Sequence, residues 1–502
     1  MSSNTLLGLL TAALLLSGCA TTFENQPLAA GRGNVERRSI DVSDPDRPLI
    51  LVAISGGGSR AAALGWAVLR ELRQFRYAAV DGTWRPLTDD IAVVSSVSGG
   101  SVIAAHFVLE GAAGLDTFAT DFLAPDNTRT LALEALNPFT WFSLAGSGGS
   151  RSQLVEQLFD RQLFKNQTFA ALNQPGKPYL ILNATDMASG EVFAFTPQRF
   201  DDICSDLDAQ AISTGVAASA AVPVVFTPIS MRNFSVDHCI GRPLPAWVNT
   251  RMKGRFAPYL NLDTFKLARY ANDLRRGADG YRTIDYLYFL DGGLADNLGV
   301  HGLLEAVSSP NAAPIIAAKA GGGAAAAPGS LLMAINTGAV KKLVVLVINA
   351  RADPANAIYQ NPSRPGIVGM IGSVTSIPIN STSSSVAAQV EVLLSALNAS
   401  GGGNGGAPGS PLFAGMKVYN MAIDFDQLRA SDPAQRALRD EAKQIPTLWT
   451  ITRPNLDVIE KVGTTLLYQH PCFQRLLEDL AIAAPFIDRA FAMMGCPQAM
   501  DK

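Results

Sequence analysis

The stretch DDIAVVSSVSGGSVIAAHFVLEGA, residues 89–112, joins two apolar runs through a turn of serines and glycines. The first run is rich in β-branched residues and predicts a buried strand, whereas the second has the apolar spacing of a helix. Ser98 lies at the apex of the predicted turn, where small neighbours let the strand and the helix approach closely. We therefore predict a strand, a tight turn and a helix, with the Ser98 side chain projecting away from the sheet.

A serine at such an apex is typical of a nucleophile elbow, whose pattern is G-x-S-x-G. Here the pattern reads Ser96, Val97, Ser98, Gly99 and Gly100, with a serine in place of the first glycine. Turns of serine and glycine between a strand and a helix are also common without catalysis. The motif makes Ser98 a candidate nucleophile and leaves a purely structural turn open.

The order strand, glycine turn, helix also occurs in LILVAISGGGSRAAALGWAVLREL, residues 49–72. Further apolar runs at 179–186, 286–293 and 342–350 predict strands that are buried on both faces. These runs alternate with helical stretches. We therefore predict an α/β fold, a three-layer sandwich with a mainly parallel central sheet.

Composition sets broad limits on the function. The chain has 502 residues, 48% of them hydrophobic and 17% charged, with a formal net charge of -3. Such a chain can bury a large core, and its charge gives no reason to expect a nucleic-acid partner. Beyond the first twenty residues, no apolar run is long enough to span a bilayer.

The N-terminus reads LLGLLTAALLLSGCA over residues 6–20, an apolar run that is short for a transmembrane helix and ends in small residues. Leu16 to Cys19 resemble the lipobox of bacterial lipoproteins. The resemblance implies a signal peptide at 1–18, a lipidated Cys19 and an outer-membrane lipoprotein of the bacterial cell envelope. The polar and irregular sequence that follows predicts a tether at 19–45. The segment before the run lacks Lys and Arg, and a plain signal peptide with a chance cysteine stays open.

Four cysteines remain, and an even number in an exported chain permits two disulfides. Three connectivities are possible, and proximity in the sequence favours Cys204 with Cys239 and Cys472 with Cys496. No C-x-x-C or H-E-x-x-H spacing indicates a metal site.

Gly56, Gly57 and Gly58 directly follow the first predicted strand. Consecutive glycines can turn backbone N–H groups toward one point, which suits a phosphate or an oxyanion. A P-loop would need Gly-Lys-Ser/Thr after the glycines, where this chain has Ser59 and Arg60, and the dinucleotide fingerprint lacks its last glycine. An oxyanion hole is the better functional interpretation.

A nucleophilic serine needs a base, and none of the four histidines lies in a sequence that indicates a catalytic triad. Asp291, in YFLDGGLADNLGV (288–300), ends an apolar strand and enters a glycine turn. Its carboxylate is expected at the carboxyl edge of the sheet, where open α/β folds place their sites. Alternatively, it only makes the local hydrogen bonds of an Asp-Gly-Gly turn.

The glycine turn, the elbow and the Asp-Gly-Gly turn, in this order and each after a strand, resemble the patatin-like phospholipases. The blocks NATDMASGEVFAF from Asn183 and GVAASAAVPVVFTPI from Gly215 also look like that family. The resemblance covers roughly residues 48–355. Ser96 and Ala61 depart from the family pattern, and both are small replacements of glycine.

The resemblance implies a Ser-Asp dyad in which Ser98 attacks an acyl ester and Asp291 takes its proton. It also implies an oxyanion hole at Gly56, Gly57 and Gly58, with Arg60 holding that loop in shape. The expected substrate is a phospholipid or another acyl-ester lipid, without metal or cofactor. The rival interpretation is a non-catalytic envelope lipoprotein that binds lipid or protein.

We divide the chain into the N-terminal segments above, a catalytic core at 46–355, an insertion at 356–415 and a C-terminal helical region at 416–502. Glycine-rich stretches at 320–330 and 400–410 predict flexible loops. Residues 383–400 predict an amphipathic helix. NPFTWFSLAG (137–146) is either a lipid-facing lip or part of the core.

Overall fold

The structure is a computed structural model, and it describes residues 25–137, 150–223, 225–235, 237–239, 243–244, 248, 262–275, 284–308, 314–318, 324–327, 330–351, 416–496 and 498. The predicted signal peptide, Cys19, most of the predicted lip and the insertion with its amphipathic helix lie outside these residues. Within the described ranges, no helix combines the length and the hydropathy that crossing a membrane requires.

The strands are, in chain order, β1 Ile40–Val42, β2 Pro48–Ile54, β3 Arg76–Ala78, β4 Trp84–Pro86, β5 Ile91–Val97, β6 Tyr179–Asp186, β7 Val192–Phe195, β8 Ile229–Arg232, β9 Tyr286–Asp291, β10 Ile315–Ala318, β11 Ala324–Ala327, β12 Lys342–Asn349 and β13 Lys417–Asp424. The α-helices are α1 Gly58–Gln74, α2 Gly99–Glu110, α3 Asn127–Leu136, α4 Arg151–Phe159, α5 Phe169–Leu172, α6 Pro197–Asp202, α7 Ile212–Ser219, α8 Leu262–Arg275, α9 Gly293–Asp296, α10 Val300–Ser308, α11 Leu331–Asn336, α12 Pro433–Gln444, α13 Arg453–Gln469, α14 Pro471–Asp479 and α15 Arg489–Gly495.

The central sheet has eight strands in the order β13-β12-β2-β5-β6-β9-β8, with β7 paired to β6. The strands from β13 to β6 are parallel, whereas β7, β9 and β8 pair antiparallel. The sheet is therefore mixed and mostly parallel, which confirms the predicted fold class.

Both faces of the sheet are covered, as alternate residues of β2 show. Ile50, Val52 and Ile54 belong to one hydrophobic cluster together with α1, α2, α13 and α14. Leu49, Leu51 and Ala53 belong to a second cluster with α10 and α11. Because successive side chains of a strand point to opposite faces, these two clusters define helix, sheet and helix as three layers.

Strand β9 ends beside the end of β5, and this meeting builds the site. Val97, the last residue of β5, pairs with Asn183 of β6, and Asp291 pairs with the next residue, Ala184. The backbones are so close that a Cβ on Gly292 would lie 2.2 Å from the Asn183 carbonyl oxygen. The chain segments after β5 and after β9 therefore enter the same space.

The disulfides join Cys204 with Cys239 and Cys472 with Cys496. This confirms the pairing that sequence proximity favours.

Three boundary predictions differ from the structure. The predicted tether packs on the core from Asn25 onward. The Asn25 side-chain amide donates a hydrogen bond to Ser205 Oγ, and β1 pairs with β10. The 320–330 stretch is not all loop, since its alanines form β11 on the open edge of β10. The C-terminal region is not only helical, because β13 continues the central sheet beside β12.

Candidate active site

Ser98 occupies a sharp turn between β5 and α2. Its backbone has φ 53° and ψ −124°, a region that residues other than glycine rarely adopt. A Cβ on Gly99 would lie 2.0 Å from the Gly58 carbonyl oxygen, and one on Gly100 would lie 2.5 Å from that of Ser55. Only glycine fits at these two positions, which explains the small residues of the elbow.

The Ser98 hydroxyl is hydrogen bonded to Asp291. Ser98 Oγ donates to Asp291 Oδ2 at 2.6 Å, and Asp291 Oδ1 accepts from the Gly293 N–H at 2.8 Å. Both carboxylate oxygens therefore have fixed partners. The structure thus brings together the predicted nucleophile and the predicted base, which are 193 residues apart in the sequence.

Burial makes Asp291 a stronger base than an exposed aspartate. Only 5% of the residue is exposed, and desolvation raises its pKa to about 6, although the hydrogen bonds from Ser98 and Gly293 act in the opposite direction. Most of the carboxyl is therefore ionised at neutral pH, and its pKa is suited to general base catalysis.

The four histidines make their contacts elsewhere. His106 Nε2 lies 3.1 Å from the Gly114 carbonyl oxygen in the core, where desolvation lowers its pKa. The three others have local contacts: His238 packs on Phe234, His301 lies beside Asp296, and His470 caps α14. Burial lowers the pKa of His470 to about 4.

The glycine turn lies against the elbow. Gly57 has φ 141° and Gly58 has φ 58°, conformations that glycine tolerates. Within the described part of the chain, the N–H groups of these two residues have no hydrogen-bond acceptor. They are free to serve an oxyanion, and α1 and α2 both begin here with the positive ends of their dipoles.

Gly56, which was predicted to contribute to an oxyanion hole, cannot offer its N–H to an oxyanion. Its N–H donates to the Asn297 carbonyl oxygen at 3.0 Å, so this donor is already used. A Cβ on Gly56 would lie 2.5 Å from Asn297 Oδ1 and 3.3 Å from the Ser98 Cβ. Gly56 is thus needed for the close approach of the turn to Ser98.

Arg60, at the start of α1, holds the glycine turn through contacts with two distant parts of the chain. Its guanidinium donates to Ala350 O at 2.9 Å, to Ile445 O and to Thr447 Oγ1 at 3.2 Å. In addition, the Ser59 N–H donates to Leu448 O at 2.8 Å. Desolvation lowers the pKa of Arg60 to about 10, so it remains charged at neutral pH.

Sequence analysis missed two groups of residues near the site. Ser219 and Asn183, which lie inside the two blocks quoted above, make hydrogen bonds to the elbow. Each is a buried polar residue in an apolar run, which is a usable signal. The segment from Ile445 to Leu448 carries no comparable signal, because it contributes mainly backbone carbonyls.

In the described ranges, no group of three or more His, Cys, Asp or Glu side chains is arranged to hold a metal ion.

A serine in a nucleophile elbow that is hydrogen bonded to a buried carboxylate, on an α/β sandwich, is typical of the active sites of serine hydrolases. The family model described as patatin-like phospholipase matches residues 52–304, half of the chain. The protein therefore belongs to the patatin-like phospholipase family. No functionally curated protein matches it significantly.

Solved structures show distant similarity. Human GIVD cytosolic phospholipase A2 in complex with methyl gamma-linolenyl fluorophosphonate is 11% identical, with a TM-score of 0.39 over 87% of this chain and 60% of the human chain. VipD from Legionella pneumophila is 11% identical, with a TM-score of 0.24 over 93% of this chain and 77% of its own. The chain thus spans about 60% of the length of the human protein.

Proposed function

We propose that this protein is a serine acyl hydrolase that releases fatty acids from membrane phospholipids through the dyad of Ser98 and Asp291. The 2.6 Å hydrogen bond between Ser98 Oγ and Asp291 Oδ2 carries the proposal, because it activates the hydroxyl without a histidine. Family membership supports a lipid ester as substrate.

In the acylation step, Ser98 Oγ attacks the ester carbonyl carbon while its proton moves to Asp291 Oδ2. The carbonyl oxygen becomes an oxyanion, to which the N–H groups of Gly57 and Gly58 donate. When the tetrahedral intermediate collapses, Asp291 returns the proton to the alcohol of the departing lysophospholipid. The acyl chain is then esterified to Ser98.

In the deacylation step, water attacks the acyl-enzyme and gives its proton to Asp291. Collapse of the second tetrahedral intermediate breaks the bond to Ser98 Oγ, which recovers the proton from Asp291. The product is a free fatty acid, and the dyad returns to its initial protonation state.

A panel of defined phospholipids, incubated with the purified protein and with Ser98→Ala, tests this function. We expect fatty acid release by the wild type and loss of at least 99% of it in the variant. A fluorophosphonate ester probe should label the wild type and spare Ser98→Ala. Equal hydrolysis by both proteins, or labelling at Ser95, Ser96 or Ser101, would contradict the assignment. A folded wild type without activity would favour the non-catalytic binding protein.

We also propose that the mature protein is anchored to the outer membrane of a bacterial envelope through a lipid on Cys19. The lipobox-like sequence Leu16 to Cys19 supports this proposal. Intact mass spectrometry of the protein from membranes should show a diacylglyceryl addition, and Cys19→Ser should abolish it. An unmodified mature chain in the soluble fraction would refute the anchor.

A further inference from the structure

The backbone amide of Ser98 is held by a side chain from a distant element. The Ser98 N–H donates to Ser219 Oγ at 2.9 Å, and Ser219 is the last residue of α7. Ser98 has the strained φ of 53° described above. Strained conformations of this kind persist only where the surrounding structure holds them. The Ser219 hydroxyl is one of the groups that hold the strained backbone of Ser98.

The direction of the Ser219 hydroxyl follows from its neighbours. Ser219 Oγ lies 2.6 Å from the Asn183 carbonyl oxygen, which can only accept, so Ser219 donates its single proton there. Its lone pairs must then receive the Ser98 N–H and the Ser101 hydroxyl, which lies at 2.8 Å. Ser101, whose proton is used in this way, can only accept from Ser96 Oγ, which lies 3.1 Å from it and 3.4 Å from the Ile181 carbonyl oxygen. The orientation of Ser219 as an acceptor for Ser98 is therefore fixed.

Water does not compete for these bonds, since Ser96, Ser101 and Ser219 are fully buried. A buried hydroxyl that loses its partner keeps the desolvation penalty. This network also explains why a serine replaces the first glycine of the elbow, because Ser96 Oγ has a partner inside the protein.

The same segment also holds the other member of the dyad. The Gly292 N–H donates to the Ser219 carbonyl oxygen at 3.0 Å, and the Asp291 N–H donates to the Ala221 carbonyl oxygen at 2.8 Å. Ser219 at the end of α7 and Ala221 just after it therefore contact the backbone of both dyad residues. This segment connects the turn after β5 with the turn after β9, which are far apart in the sequence.

We propose that Ser219 is the positioning residue of the dyad: its hydroxyl fixes the Ser98 backbone while its carbonyl fixes the turn that follows Asp291. This inference rests on the proposed function. Ser219 acts through Ser98 and does not touch the substrate, so its loss should lower the reactivity of Ser98 without weakening substrate binding.

The test measures how fast a fluorophosphonate probe labels the full-length protein, together with kcat and KM for a phospholipid. Ser219→Ala removes the hydroxyl, and Ser213→Ala is the matched control because Ser213 is also buried and lies on the same helix. We expect labelling and kcat to fall at least tenfold in Ser219→Ala with KM changed less than twofold. The control should stay within twofold of the wild type in all three quantities.

Ser219→Ala with a wild-type labelling rate would overturn the proposal, and so would equal losses in both variants. If Ser219→Ala does not fold, Ser219→Cys replaces it, because a thiol keeps the bulk but accepts weakly. A folded Ser219→Cys that labels as fast as the wild type would also overturn the proposal, and slower labelling supports it. If the wild type is labelled but hydrolyses no phospholipid, only the substrate assignment fails.

Discussion

The carboxyl of Asp291 is buried at the end of β9, and desolvation raises its pKa to about 6. The same burial has two consequences. It makes the carboxylate more basic than that of an exposed aspartate, and it makes the ionised form unfavourable in the folded state. Function and stability therefore depend on pH in opposite directions at this residue.

We expect the activity to fall on the acid side of about pH 6. The dyad needs Asp291 ionised, so kcat/KM should be constant above its pKa and fall about tenfold per pH unit below it. A pH profile with a neutral short-chain ester checks this. A limb near pH 4 would show a carboxyl without desolvation.

A second prediction concerns Asp291→Asn, which keeps the shape and removes the charge. Its kcat should fall by about 10² to 10⁴ because the general base is lost. Its stability should rise: the folded pKa lies above the unfolded value of 3.8, so stability is lost as pH rises through about 6. At pH 7 the ionised Asp291 lowers the free energy of unfolding of the wild type by about 3 kcal/mol. Asp291→Asn should recover this amount, minus the contribution of the Ser98 hydrogen bond, which is weaker in the variant.

Urea unfolding at pH 7 and pH 4 measures this effect. The difference in the free energy of unfolding between Asp291→Asn and the wild type should shrink at pH 4, where Asp291 of the folded wild type is protonated.

The histidine variants should retain most activity: His106→Gln, His238→Gln, His301→Gln and His470→Gln. A folded histidine variant as inactive as Asp291→Asn would show that the enzyme uses a triad.

At the scale of elements, the first turns of α1 and α2 are packed backbone against backbone. Gly99 makes this possible, since its Cα faces the Gly58 carbonyl at a distance that leaves no room for a Cβ. The packing places two helix N-termini and the free N–H groups of the glycine turn around one point. The elbow and the glycine turn are therefore one structural unit.

Gly99→Ala should disrupt this unit. The added methyl would lie 2.0 Å from a backbone oxygen, and backbone cannot move aside as a side chain can. We expect a loss of about 3 kcal/mol in the free energy of unfolding and no measurable turnover. Thermal unfolding and ester hydrolysis check this, with Gly463→Ala in α13 as the control. The Gly463 position meets only side-chain atoms, at 3.3 Å or more. Activity in Gly99→Ala would show that the two helices can separate without cost.

At the scale of the whole molecule, the C-terminal region helps to hold the glycine turn. Strand β13 extends the central sheet, and the segment between α12 and α13 lies against the glycine turn. The Arg60 guanidinium joins this segment to the end of β12. Three parts of the chain that are far apart in sequence therefore determine the shape of one turn.

Arg60→Lys should weaken this connection while keeping the charge. An ammonium cannot reproduce the planar set of donors that reaches three acceptors at once. We expect kcat to fall by as much as about 100-fold because the turn shifts relative to Ser98. Arg70→Lys, on the outer part of the same helix, is the control. Wild-type kcat in Arg60→Lys would show that the turn keeps its shape without this support.

Much of the fold and site follows from local sequence. Apolar runs near residues 49, 91, 179 and 342 become buried strands, because such runs must be covered on both faces. Glycine and serine after two of these strands predict the turns, since only small residues allow such close backbones. Ser98, Asp291 and the glycine turn could therefore be named in advance.

Tertiary structure decided how these pieces meet. Strand β9 is antiparallel to β6, and this direction, which its own sequence does not reveal, brings Asp291 to the end of β5. Asn297 uses the N–H of Gly56, and Ser219 holds the amide of Ser98. Such hydrogen bonds join groups that are far apart in the chain. The sequence does not show which backbone amides will be used in them, because all backbone amides are chemically alike. Which donor stays free for an oxyanion is therefore determined only when the chain is folded.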